Sequence, residues 1–342
     1  MKAMILDGTY DLRITKNPLK LAEVPVPEPQ DDEVLIKVSA CGVCHTEIDE
    51  IEGRAKPKKF PIIPGHQIVG RIEKIGKKVK NLKVGERVGV GWINSACGNC
   101  KYCLEGRENL CDFFVATGKD VDGGYAEYTK VKEEYAFRIP ETFADYEACP
   151  LLCAGAIGYR SLRLANPKNG DTIGLIGFGA SNHLVIQMIT FLYPASRVFV
   201  FARSESERNF SLELGAFWAG DIDEKPPEKL NVAIDTTPVW RPVIYGLKNL
   251  AKGGRLVINA IRKEDKDRSE LLKLSYEEHL WHEKEIKSVA NVSVADIKEF
   301  LDLADRIRIK PEFQVYPLVE ANQVIIDIVE KKIRGAKVLA VE

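Results

Sequence analysis

The chain has 342 residues, 45% hydrophobic and 29% charged, with a formal net charge of -1. A length of this kind predicts two domains with a cleft between them, and the balanced charge excludes a nucleic-acid or membrane partner recruited by bulk electrostatics. The opening Met1-Lys-Ala-Met-Ile-Leu-Asp meets an acidic residue too early for a secretory core, and no apolar run reaches membrane-spanning length, so a soluble cytoplasmic protein is expected.

Residues 1–40 read as β structure: Lys2-Ala-Met-Ile-Leu, Leu19 to Val24, a proline-rich turn over residues 25–29, and Glu33-Val-Leu-Ile-Lys-Val alternating with period two. That last strand delivers the chain to Cys41-Gly-Val-Cys-His-Thr-Glu, and a short helix follows over residues 46–52. Cys44, His66 in Pro64-Gly-His, and the distant Cys153 in Pro150-Leu-Leu-Cys-Ala-Gly supply two sulfurs and one imidazole. Three protein ligands with a fourth position open are what a catalytic zinc requires. Further strands at residues 67–75 and 86–91, separated by glycine and lysine turns, predict a compact barrel-like β domain.

Cys97-Gly-Asn-Cys100-Lys-Tyr-Cys103, closed by Cys111, supplies four thiolates and no open position, the pattern of a structural zinc site; four thiolates also suit an iron–sulfur cluster. Cys41 and Cys149 are left over and are expected as small buried hydrophobes.

From about Leu151 the pattern changes to strand, glycine turn and helix. Asp171 to Ile176, Gly177-Phe-Gly179-Ala180, the apolar run after Asn182, and Arg197-Val-Phe-Val-Phe form a dinucleotide-binding βαβ unit. Gly177 and Gly179 let the backbone approach a pyrophosphate at a helix N-terminus. Asn182 stands where the third glycine belongs and predicts looser packing of helix on strand. Strand ends near residues 220, 235 and 258 continue a doubly wound parallel sheet. The run from Arg262 to Glu270 reads as a solvated loop, and His279 and His282, with no matching cysteine nearby, as structural or surface residues. A last helix and strand, near residues 294–304 and 336–341, return to the first domain.

Taken in order, Cys41-Gly-Val-Cys-His-Thr, Pro64-Gly-His, the four-cysteine lobe, Pro150-Leu-Leu-Cys-Ala-Gly and the glycine turn resemble the zinc-dependent alcohol dehydrogenases of the medium-chain dehydrogenase/reductase superfamily. The resemblance runs nearly end to end. It implies an α/β protein: a GroES-like β-rich catalytic domain over residues 1–154, with a zinc lobe at about residues 94–112, a Rossmann domain over 155–291, and a return over 292–342. It implies catalytic zinc on Cys44, His66 and Cys153, and structural zinc on Cys97, Cys100, Cys103 and Cys111.

By the same resemblance Thr46 hydrogen-bonds the alcohol, His45 neighbours the cofactor pyrophosphate, Glu47 orients His66, and Trp92 narrows the pocket, although plain core packing suits Trp92 equally. Zinc as Lewis acid makes an alkoxide accessible near neutral pH, and hydride passes to nicotinamide. The proton leaves through Thr46 and then Asp49, which replaces the family's usual histidine, or through cofactor hydroxyls and water. Gln67 replaces a glutamate beside the zinc, and Ile157 a threonine near the nicotinamide.

Cofactor choice depends on Ala202-Arg203-Ser204, where an acidic residue would favour NAD(H). Arg203, with Ser204 and Arg208, favours NADP(H); a solvent-facing Arg203 with NAD(H) bound is the alternative. Small alcohols or aldehydes are the expected partners, with a homo-oligomer, dimer or tetramer, as the assembly. A polyol or cinnamyl-alcohol-type dehydrogenase and a zinc-ribbon binding module are the competing readings.

Overall fold

The computed structural model describes residues 1–330 and 334–341, so positions 331–333 and 342 of the expected return segment lie outside the described residues. The chain divides into two compact units, Met1–Ala156 with Val292–Glu342, and Ile157–Asn291. It leaves the first within the helix Ala154–Ala165 and re-enters it after Asn291. Among the described residues no helix is long and apolar enough to cross a membrane.

The first unit is built on the strand Glu33–Val43. It pairs antiparallel with Gln67–Ile75, with Tyr128–Lys132 along its first half, and with Ala336–Ala340 along its last. Its alternating apolar residues bury Val34, Ile36, Val38 and Ala40 completely or nearly so. Register shifts at Leu35/Ile36 and Val38/Ala40 mark bulges, which bend the strand. The ladder sets Cys41 opposite Ile68 and Gly42 opposite Gln67, so the residues just beyond, Cys44 and His66, emerge side by side. A Cβ on Gly42 would sit 2.7 Å from Gln67 Oε1, so glycine there permits the pairing.

The second unit is a six-stranded, wholly parallel sheet. Its order is Trp218–Gly220, Arg197–Phe201, Thr172–Ile176, Leu230–Asp235, Leu250–Ile258, Glu285–Ser288. That is the doubly wound order in which succession reverses between the first strand and the fourth. Its core joins Ile176, Phe199, Phe201, Leu230, Ala233, Val243, Leu247, Leu250 and Leu256, with Trp218 and Trp240 packed against them. Each large side chain so buried contributes about 1.5–3 kcal/mol.

One expectation is corrected here. The run 262–270 is only partly the solvated loop expected: the Lys263 side chain is buried against Asp235, and Asp267 accepts from the N–H groups of Trp240 and Arg241. Lysine in a charged stretch reads as exposed because the buried carboxylate that takes it lies 28 residues away. His279 and His282 are, as expected, a structural and a surface residue. His279 is buried in the turn Tyr276–Leu280 with Nδ1 accepting from Ser275 N at 3.1 Å, and His282 lies beyond it at φ 72. Asn182, in place of the third glycine, ties the glycine turn to the neighbouring strand ends: Nδ2 donates to Gly177 O at 2.7 Å and to Ile176 O and Thr236 Oγ1 at 3.3 Å.

Candidate active site

Three chain segments bring Cys44, His66 and Cys153 together. Cys44 caps the helix His45–Ile51, its N–H donating to Glu47 Oε2 and its sulfur accepting from Thr46 N. Gly65, at φ 96, turns the chain so that His66 enters the next strand. Cys153 follows the turn Cys149–Leu152, which is seated on the same two strands because backbone groups of Gly42 and Val69 approach the Cys149 sulfur.

His66 Nε2 lies 3.6 Å from Cys44 Sγ and 3.3 Å from Cys153 Sγ, and the three ligand atoms fall within 4.8 Å of one another. Tetrahedral zinc with bonds of about 2.3 Å to sulfur and about 2.1 Å to nitrogen separates such atoms by about 3.6 Å, so the donor set fits the ion. Glu47 Oε1, fully buried, stands 2.7 Å from His66 Nδ1 and fixes the ring with Nε2 toward the sulfurs.

The four-cysteine lobe also closes. Cys97 Sγ and Cys100 Sγ lie 3.8 and 3.6 Å from Cys103 Sγ, and all four sulfurs lie within 4.8 Å. A tetrahedron of zinc–sulfur bonds has edges of about 3.8 Å. Backbone N–H groups of Asn99 and Cys100 lower the Cys97 thiol to about 6, whereas burial lifts Cys103 to about 12. Phe113 N donates to Cys111 Sγ at 3.3 Å.

In the second unit Gly177, at φ 78, ends the first strand and leads to the helix Asn182–Leu192 through exposed Gly179 and half-buried Ala180. Arg203 is exposed after the second strand. Ser204 caps the helix Glu205–Glu213, accepting from Glu207 N and donating to Glu207 Oε2. Arg208 Nη1 donates to the carbonyls of Ala202 and Arg203 at 2.9 Å.

The profile of the "Alcohol dehydrogenase GroES-like domain" matches residues 30–141. A probable alcohol dehydrogenase, AdhA, of Mycobacterium tuberculosis is 39% identical over 95% of this chain and 93% of its own. This chain belongs to the zinc-dependent alcohol dehydrogenases. They are oxidoreductases acting on alcohol substrates. An alcohol dehydrogenase of Geobacillus stearothermophilus is 32% identical over 95% of this chain and 96% of its own. In fold the dehydrogenase is similar to a thermostable alcohol dehydrogenase from Pyrobaculum aerophilum, with a TM-score of 0.89 at 24% identity over 100% and 99% of the two chains. A putative zinc-binding dehydrogenase from Sinorhizobium meliloti, bound to NADP, gives 0.84 at 25% identity over 99% of each. End-to-end likeness of this kind sets aside the reading as a free-standing zinc-ribbon module.

Around the cysteine–histidine cluster of the dehydrogenase, Thr46 is half-buried and His45 exposed. Asp49 is buried and accepts from Arg54 Nε at 2.5 Å, so its Oδ1 is committed to the guanidinium. Trp92 is half-buried with its ring centroid 5.3 Å from that of Phe114. Ile157, on the helix that follows Cys153, is half-buried and its carbonyl accepts from Ser161 Oγ.

Two buried groups escape sequence reasoning. Glu50 is 1% exposed, and burial followed by the Glu47 charge pushes its carboxyl well above the usual range. Lys337, opposite Val43 in the ladder, is buried with Nζ donating to Tyr316 OH at 2.6 Å and to Gln314. A glutamate next to acidic neighbours and a lysine in a terminal strand carry no spacing signal. The packing of the helix His45–Ile51 reveals the first, and the register of the strands the second.

Proposed function

We propose that the dehydrogenase interconverts an alcohol and its aldehyde with a nicotinamide dinucleotide, NADP(H) in preference to NAD(H). Cys44, His66 and Cys153 hold a catalytic zinc, and Cys97, Cys100, Cys103 and Cys111 a structural one. The observation that carries this reading is the convergence of the first three side chains, with Glu47 behind the imidazole. Zinc bound there supplies a Lewis acid that lowers the pKa of an alcohol hydroxyl and polarises a carbonyl.

The chain's own residues do the rest. Glu47 keeps His66 Nε2 directed at the sulfurs. The hydroxyl of Thr46, two residues along from Cys44, would take the alcohol proton, and a bound dinucleotide would accept the carbinol hydrogen with its electron pair. Arg54 holds Asp49 Oδ1, and Oδ2 is the onward acceptor, together with cofactor hydroxyls and water. His45 borders the pyrophosphate, and Trp92 the alcohol.

For the dinucleotide, Gly177, Gly179 and Ala180 border the pyrophosphate at the start of an 11-residue helix. Exposed Arg203 at the end of the second strand, with Arg208 drawn to the carbonyls beside it, favours a 2′-phosphate, and the Sinorhizobium relative carries NADP. Ser204, spent on capping Glu207, contributes through the helix start it secures. The edge strand Glu285–Ser288, exposed along its length beside exposed Trp281 and Tyr276, supports a homo-oligomer.

Initial rates of aldehyde reduction with NADPH and NADH, and of alcohol oxidation with NADP+ and NAD+, all at matched concentrations, test the reading. Faster turnover with NADPH and two zinc ions per chain are expected, one ion lost with activity in Cys44→Ala. A clear NADH preference overturns the cofactor assignment, and activity retained in Cys44→Ala overturns the site.

A further inference from the structure

The charged run after Leu250–Ile258 contains a lysine that folding takes out of water. The Lys263 side chain is 7% exposed and that of Asp235 fully buried. Lys263 Nζ donates to Asp235 Oδ2 at 2.5 Å, Thr237 O at 2.7 Å and Val239 O at 3.0 Å, which uses all three of its protons. Asp235 Oδ1 accepts from Thr237 N at 2.9 Å and Thr237 Oγ1 at 2.7 Å. Backbone bonds add to the hold: Asn259 N donates to Asp235 O at 2.7 Å, and Glu264 N to Pro238 O at 2.6 Å. Desolvating both charges is costly, and a loop needed only to connect two strands would leave them in water.

The location gives the expense a purpose. Ile176, Asp235 and Ile258 stand level at the carboxyl ends of the first, fourth and fifth strands, at the point where the strand order reverses. Dinucleotides bind in the crevice at that point. Gly177 follows Ile176, and a Cβ on it would lie 3.0 Å from both Thr236 Oγ1 and Thr237 Cγ2. Thr236 Oγ1 donates to Ile176 O at 3.1 Å and receives Asn182 Nδ2 at 3.3 Å. A continuous polar path therefore runs from the glycine turn through Asn182, Thr236, Thr237 and Asp235 to Lys263.

Of the two mononucleotide-binding halves of such a sheet, the first carries the glycine turn and Arg203, so the half that contains Leu230–Asp235 and Leu250–Ile258 faces the other mononucleotide.

We propose that Lys263 is a positioning residue of the dinucleotide site: through Asp235 and the carbonyls of Thr237 and Val239 it holds the 259–264 loop in the conformation that receives the nicotinamide half. This rests on the assignment of the second unit to a nicotinamide dinucleotide. Releasing the latch lowers the fraction of molecules ready to bind, and apparent affinity falls by that fraction.

The test uses the full-length, zinc-loaded protein and the variants Lys263→Met, Lys263→Arg and Lys263→Met with Asp235→Asn. The double variant leaves neither charge buried alone. Dissociation constants are measured for the reduced dinucleotide, by its fluorescence, and for the adenosine-half fragment, 2′,5′-ADP or 5′-AMP to match. In Lys263→Met and the double variant the dinucleotide should weaken about tenfold or more and the fragment by less than about twofold, while Lys263→Arg stays within about threefold of wild type.

Unchanged dinucleotide binding in the double variant overturns the proposal. So does equal weakening of dinucleotide and fragment, or failure of both Met-containing variants to fold, since either result makes the pair a support of the fold alone. A wild-type protein that binds no dinucleotide overturns the assignment beneath it instead.

Discussion

At His66 two opposing influences meet. Burial alone would lower the imidazole, but the Glu47 carboxylate and the Cys44 sulfur outweigh it and lift the ring well above its ordinary range. The neighbouring Cys153 thiol, then burial and Glu47, raise Cys44 in the same sense. Both shifts favour the protonated forms in the metal-free protein, and zinc binds the thiolate and the neutral imidazole, so binding must displace protons. Zinc uptake near pH 7 should release protons, and its apparent affinity should rise as pH increases from neutrality toward those raised values. Calorimetry in buffers of different ionisation heat reads this directly, and heat independent of buffer would refute it. The motifs disclosed the three side chains that cluster, because metal-ligand chemistry restricts the residue types. The same motifs are silent on Arg54, which binds the Asp49 carboxylate.

Among the elements, the paired strands Glu33–Val43 and Gln67–Ile75 set the site. Alternating apolar residues made both legible, along with the strand–turn–helix of the second unit. Their register was not legible, because pairing partners far apart in sequence leave no local trace. Gly65 illustrates the dependence: at φ 96, a Cβ would lie 2.3 Å from a Tyr125 ring carbon and 2.9 Å from Cys41 Sγ. Gly65→Ala should cost about 1–3 kcal/mol through overpacking alone, with backbone strain added. Displacement of His66 should also lower the zinc content. Urea midpoint and metal per chain, measured together, decide it: wild-type values for both would show that the turn tolerates a side chain. Lys263 misled sequence reasoning for a physical reason. A polar side chain reads as exposed until the buried group it serves is known.

For the molecule as a whole, five motifs in order made the family legible from end to end. Assembly was not legible, since it depends on which strand finishes a sheet. The Glu285–Ser288 strand bonds to Leu250–Ile258 and carries exposed Ile286. Light scattering should return a particle of two or four chains, and Ile286→Lys should dissociate it toward single chains. A wild-type monomer at micromolar concentration would rule this out. The pairing of Ala336–Ala340 with Ala40–Val43 bears on biosynthesis. A ribosome releases Cys44, His66 and Cys153 long before it makes residue 336, so the strand leading into Cys44 waits through most of translation without one of its neighbours. The half of the strand that leads into Cys44 therefore completes its pairing only once residues 336–340 have been made, a closure between segments about 300 residues apart.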